Sequence, residues 1–316
     1  MKCLVIGYGS IGRRHARVLE GMGHPVGLVT RSEPSGAPVF RSVHEAVERF
    51  DPGYVVVANE TRLHGATLEA LAAAGYRGVT MMEKPCLAVS GDARGRPPGP
   101  VYVGYVLRFH PLMARLRDIL GDRPLSTLSA YAGQYLPDWR PGSDYRRSYS
   151  ARGADGGVLR DLRHELDYAQ MLAGPWRRTV AGGGRLGDLE IESEDAASVV
   201  AVCERCPLVT VHLNYLDRAV TRRMIANGGF GTLDADLVAG TLAVNGRADT
   251  FAVDRDAMFR DQHAAAMSGG DPRLCTWESA MTTLRWIEAA HVSMRERRWV
   301  DARPAGGLAV GIEGGP

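Results

Sequence analysis

The chain has 316 residues, 45% of them hydrophobic and 23% charged, with a net charge of +2. Single cores rarely grow past this length, so two domains are expected, and the composition excludes disordered and collagen-like classes. The near balance of charge argues against a strongly basic nucleic-acid or membrane-surface binder. Apolar runs such as Val55–Ala58 are too short to cross a bilayer.

Residues 1–109 alternate strand and helix patterns. Strands are expected over residues 2–6, 25–30, 53–58, 78–83 and 101–106, and helices over 11–21, 43–50 and 63–74. That alternation means βαβ units and a doubly wound parallel sheet. The rhythm then changes. Helices are expected over 111–120, 157–172 and 278–296, and strands over 125–132, 197–203, 208–216, 222–225, 231–235 and 241–244. Consecutive strands joined by turns read as a large, mostly antiparallel open sheet in an α+β domain over 110–302. Residues 303–316, rich in Gly, Pro and Ala, read as a flexible tail.

Met1-Lys2 leads into a strand pattern and not into a secretory leader. With five cysteines, an odd number, this points to the cytoplasm. Cys203 and Cys206 form a C-x-x-C with no second ligand pair at zinc spacing, so they read as hairpin thiols and no metal is expected.

Gly7-Tyr8-Gly9-Ser10-Ile11-Gly12 follows a strand and opens a helix. In that context a G-x-G-x-x-G reads as a pyrophosphate cradle. Gly7 allows the turn, Gly9 allows close approach, and Gly12 allows helix–strand packing. The next strand ends in Thr30-Arg31-Ser32, with no acid before Glu33. An arginine and two hydroxyls suit a 2′-phosphate, so NADP(H) is favoured over NAD(H).

Lysine occurs only at Lys2 and Lys84, against 36 arginines. Lys84 lies in Glu83-Lys84-Pro85 at the carboxyl end of a parallel strand, where ligands bind. Lysine can release its proton and arginine cannot, so a lysine retained here marks a need for an ammonium. On a continuous helix over 157–172, Asp161, His164 and Tyr168 fall on one strip, so the carboxylate would orient the imidazole for acid–base work. Glu165 falls at the edge of the core stripe and is expected to be buried beside an arginine. The loop with Gln134, Tyr135, Trp139, Arg140, Tyr145 and Arg146 interleaves amide, aromatics and arginines, as a polyhydroxylated or phosphorylated ligand requires.

These pieces, with Asn59-Glu60-Thr61-Arg62-Leu63-His64, Gly104-Tyr105-Val106-Leu107-Arg108 and Gly156 to Asp167, resemble the Gfo/Idh/MocA oxidoreductases over nearly the whole chain. The resemblance implies a Rossmann domain and hydride transfer between nicotinamide and a secondary alcohol or ketone of a sugar, with Lys84, Asp161 and His164 at the substrate. It also implies Ser10, Ile11, Asn59, Thr61, His64, Glu83, Lys84 and Arg108 at the cofactor, and Tyr105 and Arg163 at the substrate. A homodimer or homotetramer through the open sheet face is implied, and the 134–146 segment resembles a subgroup handling nucleotide-linked or amino-sugar precursors. The chain departs from the family in its three-residue Asp–His step, in Asn59-Glu60 and in Val106. A non-catalytic NAD(P)-sensing binder and an internal-redox lyase or hydrolase are the alternatives.

Overall fold

The structure is a computed structural model that describes residues 1–32, 36–93, 95–153 and 156–302. Glu33 and the segment 303–316 lie outside the described residues.

The first sheet contains β1 (Cys3–Ile6), β2 (Val26–Val29), β3 (Val39–Phe40), β4 (Tyr54–Val57), β5 (Val79–Met82) and β6 (Val101–Val103), with helices α1 (Ser10–Gly21), α2 (Val43–Phe50) and α3 (His64–Ala73) in the crossovers. These six strands lie in the order β6-β5-β4-β1-β2-β3 and are mutually parallel; a short antiparallel strand, Cys275–Thr276, adds to the β6 edge. The strands are apolar on both faces because both are covered. Alternation in β1 shows this directly, since Cys3 and Val5 enter one core and Leu4 and Ile6 the other. The core holding Cys3 and Val5 continues into the second sheet, so the two layers share one apolar interior.

Helix α4 (Pro111–Leu120) begins at a proline, whose fixed φ suits a first helical position. The second sheet contains β7 (Leu125–Gly133), β8 (Trp176–Gly184), β9 (Ala196–Cys203), β10 (Cys206–Asn214), β11 (Thr221–Gly228), β12 (Gly231–Asp236), β13 (Thr241–Val244) and β14 (Arg247–Thr250). Only β7 and β10 pair in parallel; the other pairs are antiparallel. Cys203 and Cys206 are register partners at the base of the β9–β10 hairpin, both buried and free.

Helix α7 (Arg255–Ser268) and strand β8 were not expected from the periodicity. Strand β15 (Cys275–Thr276) pairs with β6, so the chain returns to the first sheet before α8 (Trp277–Glu296) and closes on β16 (Val300–Asp301) against β8. Trp277 and Met281 of α8 pack under the first sheet, and Trp286 and Ile287 pack in the shared core.

The expected helix over 157–172 is two helices, α5 (Val158–Asp161) and α6 (His164–Ala173). Leu162, at φ −92° and ψ 37°, breaks the ladder between them. The phase argument that placed Asp161 and His164 on one strip therefore does not hold.

Candidate functional site

At the glycine turn the three glycines have different causes. Gly7 has φ +96°, and a Cβ there would stand 2.5 Å from the Asn59 amide nitrogen. A Cβ on Gly12 would collide with the Gly7 carbonyl. A Cβ on Gly9 would meet nothing within 4 Å, so no protein contact accounts for that glycine. Gly9 caps α1, and Ser10 and Ile11 open it, which leaves the first amides of a twelve-residue helix facing that space. Asn59 donates its amide to Thr67 at 2.9 Å, while its buried Oδ1 has no partner. An open cradle with an orphaned acceptor beside it fits a dinucleotide. Thr61 is half-buried in the next turn. Thr30, Arg31 and Ser32 stand at the end of β2 with Arg31 and Ser32 exposed, and Arg41, missed in the sequence, reaches the Thr30 and Arg31 carbonyls at 3.4 Å.

Three residues expected at the cofactor are bound up elsewhere. His64 is 1% exposed, with Nδ1 against the Pro85 carbonyl at 2.9 Å and Nε2 against the Asn59 carbonyl at 3.1 Å. It braces the two loops against each other and has no nitrogen free for a ligand. Arg108 forks onto Asp167 at 2.8 and 2.6 Å and also donates to the Leu274 carbonyl and Ser279, so it ties α6 to the start of α8. Glu83 accepts from the Lys84 amide at 3.2 Å and lies 3.0 Å from His15 Nε2. His15 Nδ1 is 2.9 Å from His263 Nε2, and His263 Nδ1 is 2.8 Å from the Tyr54 hydroxyl. One direction of donation, from Tyr54 through His263 and His15 to Glu83, lets each ring donate once and accept once. Local pattern carries no sign of this buried chain, because His263 lies on α7, which the periodicity does not predict.

Lys84 is half-buried, and its Nζ donates to the backbone carbonyl of Asp161 at 3.2 Å. That carbonyl is available because α5 ends there, and the last carbonyls of a helix lack intrahelical donors. Burial pushes the Lys84 pKa below its ordinary value, with Asp161 opposing. His164 opens α6, with its ring edge-on to Tyr105 at a centroid distance of 5.7 Å. Burial first, and then the charges of Lys84, Arg222 and Arg163, hold His164 well below the usual imidazole pKa. Lys84 and His164, 80 positions apart, thus sit within each other's field. The Tyr105 hydroxyl and His164 Nδ1 are buried and unpartnered, so both are polar atoms that protein groups leave unsatisfied.

Asp161 does not orient His164. Its Oδ2 accepts from the Tyr215 hydroxyl at 2.7 Å, and Tyr215, at the end of β10, went unnoticed in the sequence. Glu165 is fully buried 2.8 Å from Arg222 Nε, as its place on the core stripe required. Tyr168 is also buried, its hydroxyl unpartnered.

The 134–146 segment folds over a cavity of about 290 Å3 lined by Trp139, Arg140, Tyr145, Arg147 and Ser150, among others. Trp139 stands edge-on to Tyr215, which connects this cavity to the Asp161 side of the site. Gln134 is half-buried, and Arg218 lies over the Tyr135 ring at 3.5 Å. Arg146 is exposed and bound to Asp144 and Glu190, so it does not line the cavity. Among the described residues no group of three or more His, Cys, Asp or Glu is placed to hold a metal ion, and no helix is long and apolar enough to cross a membrane.

No protein-family model and no curated protein sequence matches the chain. Solved structures do. A probable dehydrogenase from Thermotoga maritima is 21% identical with a TM-score of 0.76, covering 95% of this chain and 99% of that one. GenD2 from gentamicin A biosynthesis, in complex with NAD, is 20% identical at 0.75, covering 96% and 97%. The WlbA dehydrogenase from Bordetella pertussis, in complex with NADH and UDP-GlcNAcA, is 17% identical at 0.76, covering 96% and 99%. The chain therefore shares the fold of these dehydrogenases, a parallel Rossmann-type sheet followed by a second, largely antiparallel sheet.

Proposed function

We propose that this chain is a Gfo/Idh/MocA-type oxidoreductase that moves a hydride between NAD(P) and a secondary alcohol or ketone of a sugar. The observation that carries the reading is the 3.2 Å contact of Lys84 Nζ with the Asp161 carbonyl, one turn before His164, at the carboxyl edge of the parallel sheet, where doubly wound folds bind ligands. A bound nicotinamide supplies the hydride acceptor or donor. The chain's own residues do the rest. Lys84 polarises the substrate oxygen, and His164, held in its uncharged form, takes the hydroxyl proton. Asp161 fixes Lys84 through its carbonyl and is itself fixed by Tyr215. Reduction runs the same path backward.

NADP(H) is favoured because Arg31 is exposed at the end of β2 with Arg41 close behind. A nucleotide-linked or amino-sugar substrate, a dimer or tetramer through the open face of the second sheet, and a cytoplasmic location belong to the same reading. The neighbours from antibiotic biosynthesis and with a UDP-sugar bound support the substrate class.

Absorbance at 340 nm with a sugar panel tests the activity. Lys84→Ala and His164→Ala are each expected to lower kcat by about 10²–10⁴ while NADH binding stays intact. Wild-type turnover by His164→Ala would remove its role, and product without net absorbance change would mean internal redox. A preference for NADH over NADPH would overturn the cofactor choice.

A further inference from the structure

The break between α5 and α6 leaves Arg163 in an unusual state. The residue is 1% exposed, yet among the described residues its side chain's only hydrogen-bond partner is the Arg160 carbonyl, which accepts from Nε at 2.5 Å. Its Nη1 is buried with no acceptor. Among the described residues no carboxylate is ion-paired with it. The acids near it in sequence or at the same strand ends have other partners: Asp161 accepts from Tyr215, Glu165 is ion-paired with Arg222 though neither of its oxygens accepts a hydrogen bond, and Glu83 lies against His15. A guanidinium cannot shed its proton to escape burial, so a charge left this way is costly unless an anion arrives.

The position of Arg163 says which ligand would bring the anion. Its charge acts on Lys84, His164 and Tyr105 together. These groups follow β5 and β6 or open α6, whereas the glycine turn follows β1, with β4 between β1 and β5. The cradle for a dinucleotide pyrophosphate is therefore on the other side of β4 from the groups on which Arg163 acts. After burial, the charges of Lys84, Arg222, Arg163 and Arg255 all act against a charged His164, while Asp161 and Glu83 favour the charged form of Lys84.

We propose that the substrate carries an anionic group, a carboxylate or a phosphate, close to the carbon that reacts, and that Arg163 receives it through its Nη edge. This rests on the oxidoreductase reading above and narrows its substrate to acidic sugars. A guanidinium edge matches the oxygens of either group by charge-assisted hydrogen bonds.

The test is direct binding to the full chain, by titration calorimetry with and without NADH. Matched gluco and galacto sets serve as probes: the uronate, the 6-phosphate and the neutral hexose. In at least one set the wild type is expected to bind an anionic member about tenfold or more tighter than the neutral hexose. The member preferred tells carboxylate from phosphate. Arg163→Gln is expected to bring the two affinities within about twofold without weakening the hexose, and Arg163→Lys to fall between. If Arg163→Gln fails to fold, the wild-type preference and Arg163→Lys decide the matter. No preference for an anionic member in either set, or an equal loss for acid and hexose on mutation, overturns the proposal. Failure of NADH to bind would instead sink the cofactor reading, and the anion preference would still be read in the titration without it.

Discussion

His15 Nε2 stands 3.0 Å from Glu83 Oε1, and the other oxygen of that carboxylate accepts the Lys84 amide. One buried contact thus links the helix of the glycine turn to Lys84, the residue proposed to polarise the substrate. His15→Phe removes it and leaves Glu83 without its ring partner. The expected result is a fall in kcat of about tenfold or more with the KM for cofactor little changed, since small displacements of a reacting group are costly. Steady-state kinetics checks this, and equal changes in kcat and cofactor KM would mean a general loss of structure.

Gly9 and Gly12 separate ligand space from packing space. Gly9→Ala meets no protein atom, so its melting temperature is expected to match wild type while NAD(P)H binding weakens about tenfold or more. Gly12→Ala drives a methyl into the Gly7 carbonyl and is expected to destabilise the fold by about 1–3 kcal/mol. Thermal denaturation and cofactor titration on the same pair of variants test both.

The pH dependence distinguishes the two candidate proton acceptors. His164 is held well below the ordinary imidazole pKa of 6.5, chiefly by burial. A base with a lowered pKa stays uncharged until the pH falls through that lowered value. If His164 accepts the proton, kcat for alcohol oxidation is expected to be level from pH 8 to below pH 6.5. If Lys84 accepts it, the rate instead climbs with pH through the lysine's own pKa, which is lowered from 10.5. The same sign holds for folding. The unfolded chain takes up a proton at His164 that the folded chain refuses, so this residue's contribution to stability declines as pH falls below about 6.5.

Arg108 and Asp167 form a bidentate pair, both nearly fully buried. Arg108→Ala leaves that carboxylate buried without its partner and is expected to cost about 3–5 kcal/mol. Cofactor affinity of the folded variant is expected to match wild type, because four of the five N–H donors of Arg108 are spent on Asp167, Leu274 and Ser279. A lowered affinity with an unchanged melting temperature would return Arg108 to the cofactor.

Much of this was legible in the linear order of residues. The buried strands β1 and β4, the glycine turn, Lys84 at a strand end and the burial of Glu165 beside an arginine all follow from local pattern, because period, turn chemistry and charge are carried by near neighbours. The tertiary structure decided what distant residues do to one another. It broke the helix at Leu162, and so gave Asp161 to Tyr215 and its carbonyl to Lys84. It engaged His64 and Arg108 in contacts with the protein itself, and it left Arg163 Nη1 buried without an acceptor. Those outcomes depend on which donors and acceptors meet inside a packed interior, where every polar group must find a partner from whatever strand or helix happens to face it, and one-dimensional spacing carries no record of that meeting.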